Sequence, residues 1–225
     1  LQRSAYEALD GRRGAVVVMD LDDGALLGMV SSPAPNPGAS GGDDWQRMAA
    51  HVDHPLLNRA VASTESYSPP GSTFKMVMAA AVLSGEAGIE PDEEIECHGH
   101  DDELAVRCGH GKAHGKVNLG KALTVSCNIY FAHVAAKMGP NAVLRIAQRF
   151  GFNEGTQLDL AAGLDHVAVP VLPSTVQLDQ KTIPHEQALA RVGFGQGPVS
   201  ATPLQMARVG AVIASGGRIL HPHTV

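Results

Sequence analysis

Two short patterns in this chain of 225 residues set hydroxyl groups where an amine can reach them. Ser72 stands three positions before Lys75 in Ser72-Thr73-Phe74-Lys75, and the run from Phe74 to Leu83 is apolar apart from that lysine. A segment apolar all round forms a buried helix, and a spacing of three is about one turn, so the hydroxyl and the amine share a face. A buried ammonium is costly unless it is paired or loses its proton. A hydroxyl beside a buried, neutral amine is an activated nucleophile. The second pattern is Ser126-Cys127-Asn128. On a helix, positions i and i+2 point apart, whereas in a turn they point the same way. If Ser126 and Asn128 act on one substrate, the triplet belongs in a loop between two helices. Taken alone it also reads as an ordinary helix cap.

A third cluster suggests metal chemistry. Cys97, His98, His100, Cys108, His110 and His114 place two of three cysteines and four of eleven histidines within eighteen residues, a density that random placement rarely gives. With Cys127 they offer three thiols and an imidazole for tetrahedral Zn²⁺. The candidate ligands are Cys97, Cys108, His114 and Cys127, with His98, His100 and His110 as alternates. A Cys97–Cys108 disulfide is an open alternative outside the cytoplasm, and so is a plain buried thiol at Cys127.

The elements that must position these groups follow from pattern and punctuation. Residues 1–9 form a short amphipathic helix. Ala15–Met19 and Ala25–Val30 are apolar runs around Asp22-Asp23-Gly24, which gives a β-hairpin, and the wholly apolar first run implies a sheet covered on both faces. Residues 32–44 read as a Pro/Gly/Ser loop, and 45–62 as partly helical, with Trp45 a local packing anchor. Pro69-Pro70-Gly71 breaks the chain ahead of Ser72, and a helix starts there and ends at Gly85. Residues 86–116 are polar with little periodicity. Residues 118–137 are helical, interrupted at 126–128, and 140–150 form another short helix. Residues 151–200 look irregular. Thr202-Pro203-Leu204-Gln205 supplies an N-cap, proline at the first helical position and a capping-box glutamine for a helix that ends at Gly216-Gly217.

Hydrophobic content of 44% and charged content of 18% mark a globular chain. A net charge of −6 without a Lys/Arg cluster argues against nucleic acid as a partner. No run of about 18 apolar residues is available to cross a membrane. His51, His54, His133, His166, His185, His221 and His223 are scattered and receive no role.

Taken together, the motifs resemble the transpeptidase domain of penicillin-binding proteins. The resemblance is carried by Gly14–Asp20 with Gly24–Pro33, by Asn58-Arg59-Ala60, by Tyr67-Ser-Pro-Pro-Gly-Ser-Thr-Phe-Lys75, by His114-Gly115, by Ser126-Cys-Asn-Ile-Tyr-Phe131, by Gly193-Phe-Gly-Gln-Gly197 and by Thr202-Pro-Leu-Gln-Met-Ala207. The Cys-Asn-x-Tyr-Phe and Gly-Gln-Gly elements are similar to the large class B and class A enzymes, and elongation-type class B fits best.

The resemblance implies an α/β fold in which an antiparallel sheet is sandwiched by helices beside a helical lobe, with the sheet incomplete. It divides the chain into 1–44 (helix, hairpin and loop), 45–192 (mainly helical lobe with the motifs) and 193–225 (return toward further strands). It implies a peptidoglycan D,D-transpeptidase with Ser72 as nucleophile, Lys75 as base, Ser126 as proton relay and Asn128 as holder of the substrate amide. β-Lactams would trap the same serine. No cofactor for catalysis is implied, and a structural Zn²⁺ is supported because some elongation-type members carry a metal between these motifs. Stem peptides and a glycosyltransferase would be partners, and the domain would lie outside a cytoplasmic membrane to which the protein is anchored.

A D,D-carboxypeptidase, a class D-like β-lactamase or β-lactam sensor, and a non-catalytic scaffold are the alternatives. The family's third motif, Lys-Thr/Ser-Gly on a strand, is absent, since Lys181-Thr182-Ile183 lacks the glycine and precedes the Gly-Gln-Gly segment. The chain therefore reads as a fragment ending before the remaining strands, impaired as it stands and exposing an unpaired sheet edge.

Overall fold

The computed structural model describes all residues except 36, 37, 39, 40, 63–68, 156, 163, 171–173 and 179–184. The Lys181-Thr182-Ile183 string and the Tyr67-Ser68 part of the nucleophile motif lie outside the described residues. Along the chain come α1 (Gln2–Leu9), β1 (Gly14–Met19), β2 (Ala25–Ser32), α2 (Gly42–Ala50), a 3₁₀ turn (Gly71–Phe74), α3 (Lys75–Leu83), β3 (Ile95–Cys97), β4 (His100–Asp101), β5 (Val106–Arg107), β6 (Gly115–Val117), α4 (Leu119–Thr124), α5 (Asn128–Arg149), β7 (Gln157–Ala162), β8 (Leu164–Pro170), β9 (Thr175–Val176), α6 (His185–Val192), β10 (Val199–Ser200), α7 (Pro203–Ala214) and β11 (His223–Thr224). They form two compact units, residues 1–67, 155–173 and 202–225 in the first, and 68–154 with 174–201 in the second.

The first unit is built on a five-stranded sheet in the order β1-β2-β11-β7-β8. Both hairpins are antiparallel, the first as expected, but β11 runs parallel to β2 and to β7, so the sheet is mixed. The expected open edge is covered only over a short stretch, where β11 pairs with Ala25 and Leu26 of β2 and with Asp159 of β7. β11 occupies the slot between the hairpins, bonding through His223 N–H to Gly24 O (3.4 Å) and through Pro222 O to Asp159 N–H (3.3 Å). In the first hairpin, Met19 pairs with Leu26 but Val18 pairs with Gly28, leaving Leu27 as the extra, exposed residue of a bulge. The bulge puts Leu26 and Met29 on one face, where they meet Val17, Met19 and Leu204 of α7. Gly28 and Val18 turn to the other face, toward Gln2 of α1. Helices thus cover both faces, although β1, an edge strand, is half-buried throughout. Gln2 also pairs with β2 as a strand would, its amide donating to Met29 O (2.7 Å) and accepting from Met29 N–H (2.8 Å). Thr202 caps α7, its hydroxyl accepting from Gln205 N–H at 3.1 Å with Pro203 in the first turn. Trp45 lies on α2 rather than in a loop and is 53% exposed.

The second unit is mainly helical. α3 buries Val77, Met78, Ala79, Ala81 and Val82, as an apolar helix must. α5 is two helical stretches joined at Gly139 (φ 73°, ψ 166°) before Pro140, which agrees with the sequence break at 137–140. The segments read as featureless are not so. Residues 95–117 make two small antiparallel pairs, β3–β6 and β4–β5. Residues 151–200 contain the β7–β8 hairpin, the β9–β10 pair and α6. These strands are too short, or too lightly patterned, for periodicity to separate them from loop.

One contact fixes the approach to Ser72. Gly71 N–H donates to Gly195 O at 2.8 Å, and a Cβ on Gly195 would lie 1.9 Å from Gly71 O, at a φ of +76°. Gly195→Ala is therefore expected to cost about 2–4 kcal/mol, from left-handed backbone plus overpacking, read as a lower urea midpoint at unchanged slope.

Candidate active site

The four sequence-derived residues Ser72, Lys75, Ser126 and Asn128 converge in the second unit. The 3₁₀ turn sets residues i and i+3 over one another, so the Ser72 Oγ lies 3.2 Å from the Lys75 Nζ. Phe74 points the opposite way, fully buried and edge-on to Phe152 at 5.3 Å. Ser72 stays exposed while Lys75 is only 2% exposed.

Ser126 lies in the loop between α4 and α5, as the triplet's geometry required. Its backbone is left-handed (φ 53°), uncommon for a residue with a Cβ, and both its carbonyl oxygen and its hydroxyl meet the lysine, at 2.8 and 2.9 Å. Cys127 then turns the chain into α5, its Sγ accepting from Tyr130 N–H at 3.5 Å as the helix cap. Asn128, first residue of α5, accepts from Nζ through Oδ1 at 2.7 Å and donates through Nδ2 to Arg107 O at 2.9 Å. That second bond fixes which way the amide points.

This arrangement determines what the amine can do. Ser126 O and Asn128 Oδ1 are acceptors only, so each needs an N–H from Lys75. A neutral amine has two, and both are then used. Its lone pair is left facing the Ser72 and Ser126 hydroxyls, which are 3.0 Å apart. The protonated amine can instead give its third N–H to a hydroxyl. Burial lowers the Lys75 pKa from 10.5 to about 8, against the opposing pull of Cys127 and Cys108, so the neutral form is accessible near neutral pH. The Phe131 ring, 5.7 Å from Nζ, closes the other side.

Directly behind this loop the candidate metal ligands also converge. One donor atom from each of Cys97, Cys108, His114 and Cys127 lies within 4.8 Å of the others. The three thiols are free, so the Cys97–Cys108 disulfide is absent. The β3–β6 and β4–β5 pairs bring Cys97 and Cys108 together with their sulfurs 3.7 Å apart. Cys108 and Cys127 are 3.8 Å apart, and Cys97 Sγ is 3.5 Å from His114 Nδ1. A tetrahedral ion with metal–sulfur bonds of about 2.3 Å requires S···S edges of about 3.8 Å, so the set fits. Burial, with Lys112 and Lys121 nearby, lowers the His114 pKa and keeps the imidazole neutral. His98, His100 and His110 are exposed and take no part in the cluster.

Sequence reasoning missed Arg107 and Phe131. Arg107 contributes a backbone carbonyl, which any residue type could supply, so no signal marked it. Phe131 stands within the second motif and at helical spacing from Cys127, the one available hint.

Comparison with known proteins places the chain in a family. Residues 14–225 match the family model for the penicillin binding protein transpeptidase domain. The chain belongs to that family. It is 32% identical over 234 residues to the peptidoglycan D,D-transpeptidase MrdA of Acinetobacter baumannii, covering 100% of this chain and 34% of that protein. It is 31% identical over 250 residues to the peptidoglycan D,D-transpeptidase PbpA of Mycolicibacterium smegmatis, covering 100% of this chain and 46% of that protein. The fold superposes with a TM-score of 0.78, at 29% identity, on penicillin-binding protein A from M. tuberculosis, solved as its penicillin G acyl-enzyme complex, covering 98% of this chain and 51% of that one. The chain thus spans less than half the length of these two curated relatives.

The lowered lysine pKa has a consequence for stability. The folded chain binds fewer protons at Lys75 than the unfolded chain between pH 8 and 10.5, so this group makes stability rise with pH across that window. The unfolding free energy of the native protein minus that of Lys75→Met should increase from pH 7.5 to pH 10, as read by urea titration at each pH.

Proposed function

We propose that this chain is the acyl-transfer domain of a class B, elongation-type peptidoglycan D,D-transpeptidase that β-lactams inactivate. The observation behind this reading is the Ser72 Oγ at 3.2 Å from an amine whose N–H groups are already engaged by two carbonyls. In the proposed reaction, Ser72 Oγ attacks the carbonyl carbon of the penultimate D-Ala, and its proton passes to the Lys75 lone pair. The new oxyanion is met by the Ser72 N–H at the helix start. The C–N bond then breaks, and the proton reaches the leaving amine through Ser126, whose hydroxyl lies 2.9 Å from Nζ and 3.0 Å from Ser72 Oγ. An amine from a second stem peptide attacks the ester and releases Ser72. Asn128 holds both the lysine and the substrate amide.

The protein would act outside the cytoplasmic membrane, anchored there and working with a glycosyltransferase. Among the described residues no helix is long and apolar enough to cross a membrane.

A fluorescent penicillin tests the assignment on the intact protein. Covalent label should appear on Ser72 and vanish in Ser72→Ala. Its rate should rise with pH and level off above about 8, because only the neutral lysine accepts the proton. Label that survives Ser72→Ala would overturn the reading.

The same loop supports a structural Zn²⁺ held by Cys97, Cys108, His114 and Cys127. The cation would offset the burial that pushes the Cys127 thiol up to about 12 and would fix Cys127 between Ser126 and Asn128. Elemental analysis of the purified protein should give about one zinc per chain, and Cys108→Ser should lower both the zinc content and the thermal midpoint.

A further inference from the structure

A cavity of about 600 Å³ opens beside Asn128, and the transfer reaction makes no use of it. It shares Gly109 and Asn128 with the cavity of about 410 Å³ that contains Ser72 and Ser126. The two cavities therefore adjoin at Asn128, the residue proposed to hold the substrate amide. Its walls hold two arginines, Arg107 on β5 and Arg191 in the last turn of α6. Neither guanidinium has a hydrogen-bond or ion-pair partner among the described residues. Both side chains come from anchored backbone. Arg107 O accepts from Asn128 Nδ2, and Arg191 O accepts from Phe194 and Gln196 N–H. Gly197 packs against the stem of Arg191 so closely that a Cβ there would lie 3.1 Å from the arginine Cβ, at a φ of +70°.

The acidic residues of the cavity do not neutralise this pair. Asp101 is already engaged, accepting from Leu104 N–H through Oδ1 at 2.9 Å and meeting His133 Nε2 through Oδ2 at 2.9 Å. Asp102 is exposed. A planar guanidinium without a partner matches a carboxylate in a two-pronged geometry.

We infer that Arg107 and Arg191 form a specificity subsite for a free carboxylate carried by the substrate peptide on the acyl side of the bond that Ser72 attacks. The inference deepens the transpeptidase reading and rests on it. Asp102 at the rim disfavours a second negative charge and tolerates an ammonium, so a residue bearing one carboxylate and one amine also suits the cavity.

The test uses the intact protein and two peptides ending in D-Ala-D-Ala, identical except that the residue before them carries a carboxylate or a carboxamide. Each peptide competes with fluorescent penicillin for Ser72. The carboxylate peptide should protect at a concentration about tenfold or more below that of the carboxamide peptide. In Arg191→Gln, and separately in Arg107→Gln, that ratio should fall toward one. Because the ratio compares two peptides on one preparation, a general folding defect does not imitate the result. Equal protection by the two peptides in the unsubstituted protein overturns the subsite, as does a ratio unchanged in both variants. Failure of the penicillin itself to label Ser72 would instead remove the reaction on which the subsite depends.

Discussion

The chemistry of this chain depends on one buried amine with too few protons for its neighbours. Lys75 faces two carbonyl oxygens that can only accept and two hydroxyls that can do either. The carbonyls use the two N–H groups that a neutral amine retains. What remains is a lone pair aimed at oxygen. Burial lowers the cost of that state relative to the ammonium, and the apolar helix behind Lys75 provides the burial. Packing, hydrogen bonding and reactivity are here the same constraint, which explains how a single charge is tolerated at the front of a core helix.

The second half of the constraint is geometric. Ser126 can present its carbonyl and its hydroxyl to one nitrogen only because its backbone is left-handed, and such a conformation persists only where neighbours hold it. Cys127 is that neighbour. It caps α5, lies against Cys108, and sits between the two residues that touch the lysine. The β3–β6 and β4–β5 pairs bring Cys97, Cys108 and His114 to the back of this loop, and β5 adds the Arg107 carbonyl that holds the Asn128 amide. A segment that looks unstructured in sequence is therefore the support of the site.

How much was legible follows from these particulars. Ser72 and Lys75 were visible because an isolated charge in an apolar helix has few explanations. Ser126 and Asn128 were visible only in company, since a Ser-x-Asn triplet also makes an ordinary cap. The hairpin of β1 and β2, the break before Ser72, the interruption at 126–128 and the capped start of α7 all have local chemical signals. The β7–β8 hairpin, the two-residue strands and α6 lack them, and their existence depends on partners distant in sequence. The parallel insertion of β11 was illegible for the same reason, as no two-residue stretch announces which slot it will fill. Arg107 acts through its backbone, which sequence does not encode by residue type.

That insertion bears on how the chain reaches its native state during synthesis. The first unit's sheet draws on residues 14–32, 157–170 and 223–224, and the middle position belongs to the last of these. A ribosome delivering the chain from its N-terminus would release both hairpins well before the piece that joins them. Until then, the facing sides of β2 and β7 remain without the central strand, while the helices around Ser72 and Lys75 can already pack. Loop closure over such separations is slow, so the reactive half of the molecule is expected to consolidate first and the sheet last.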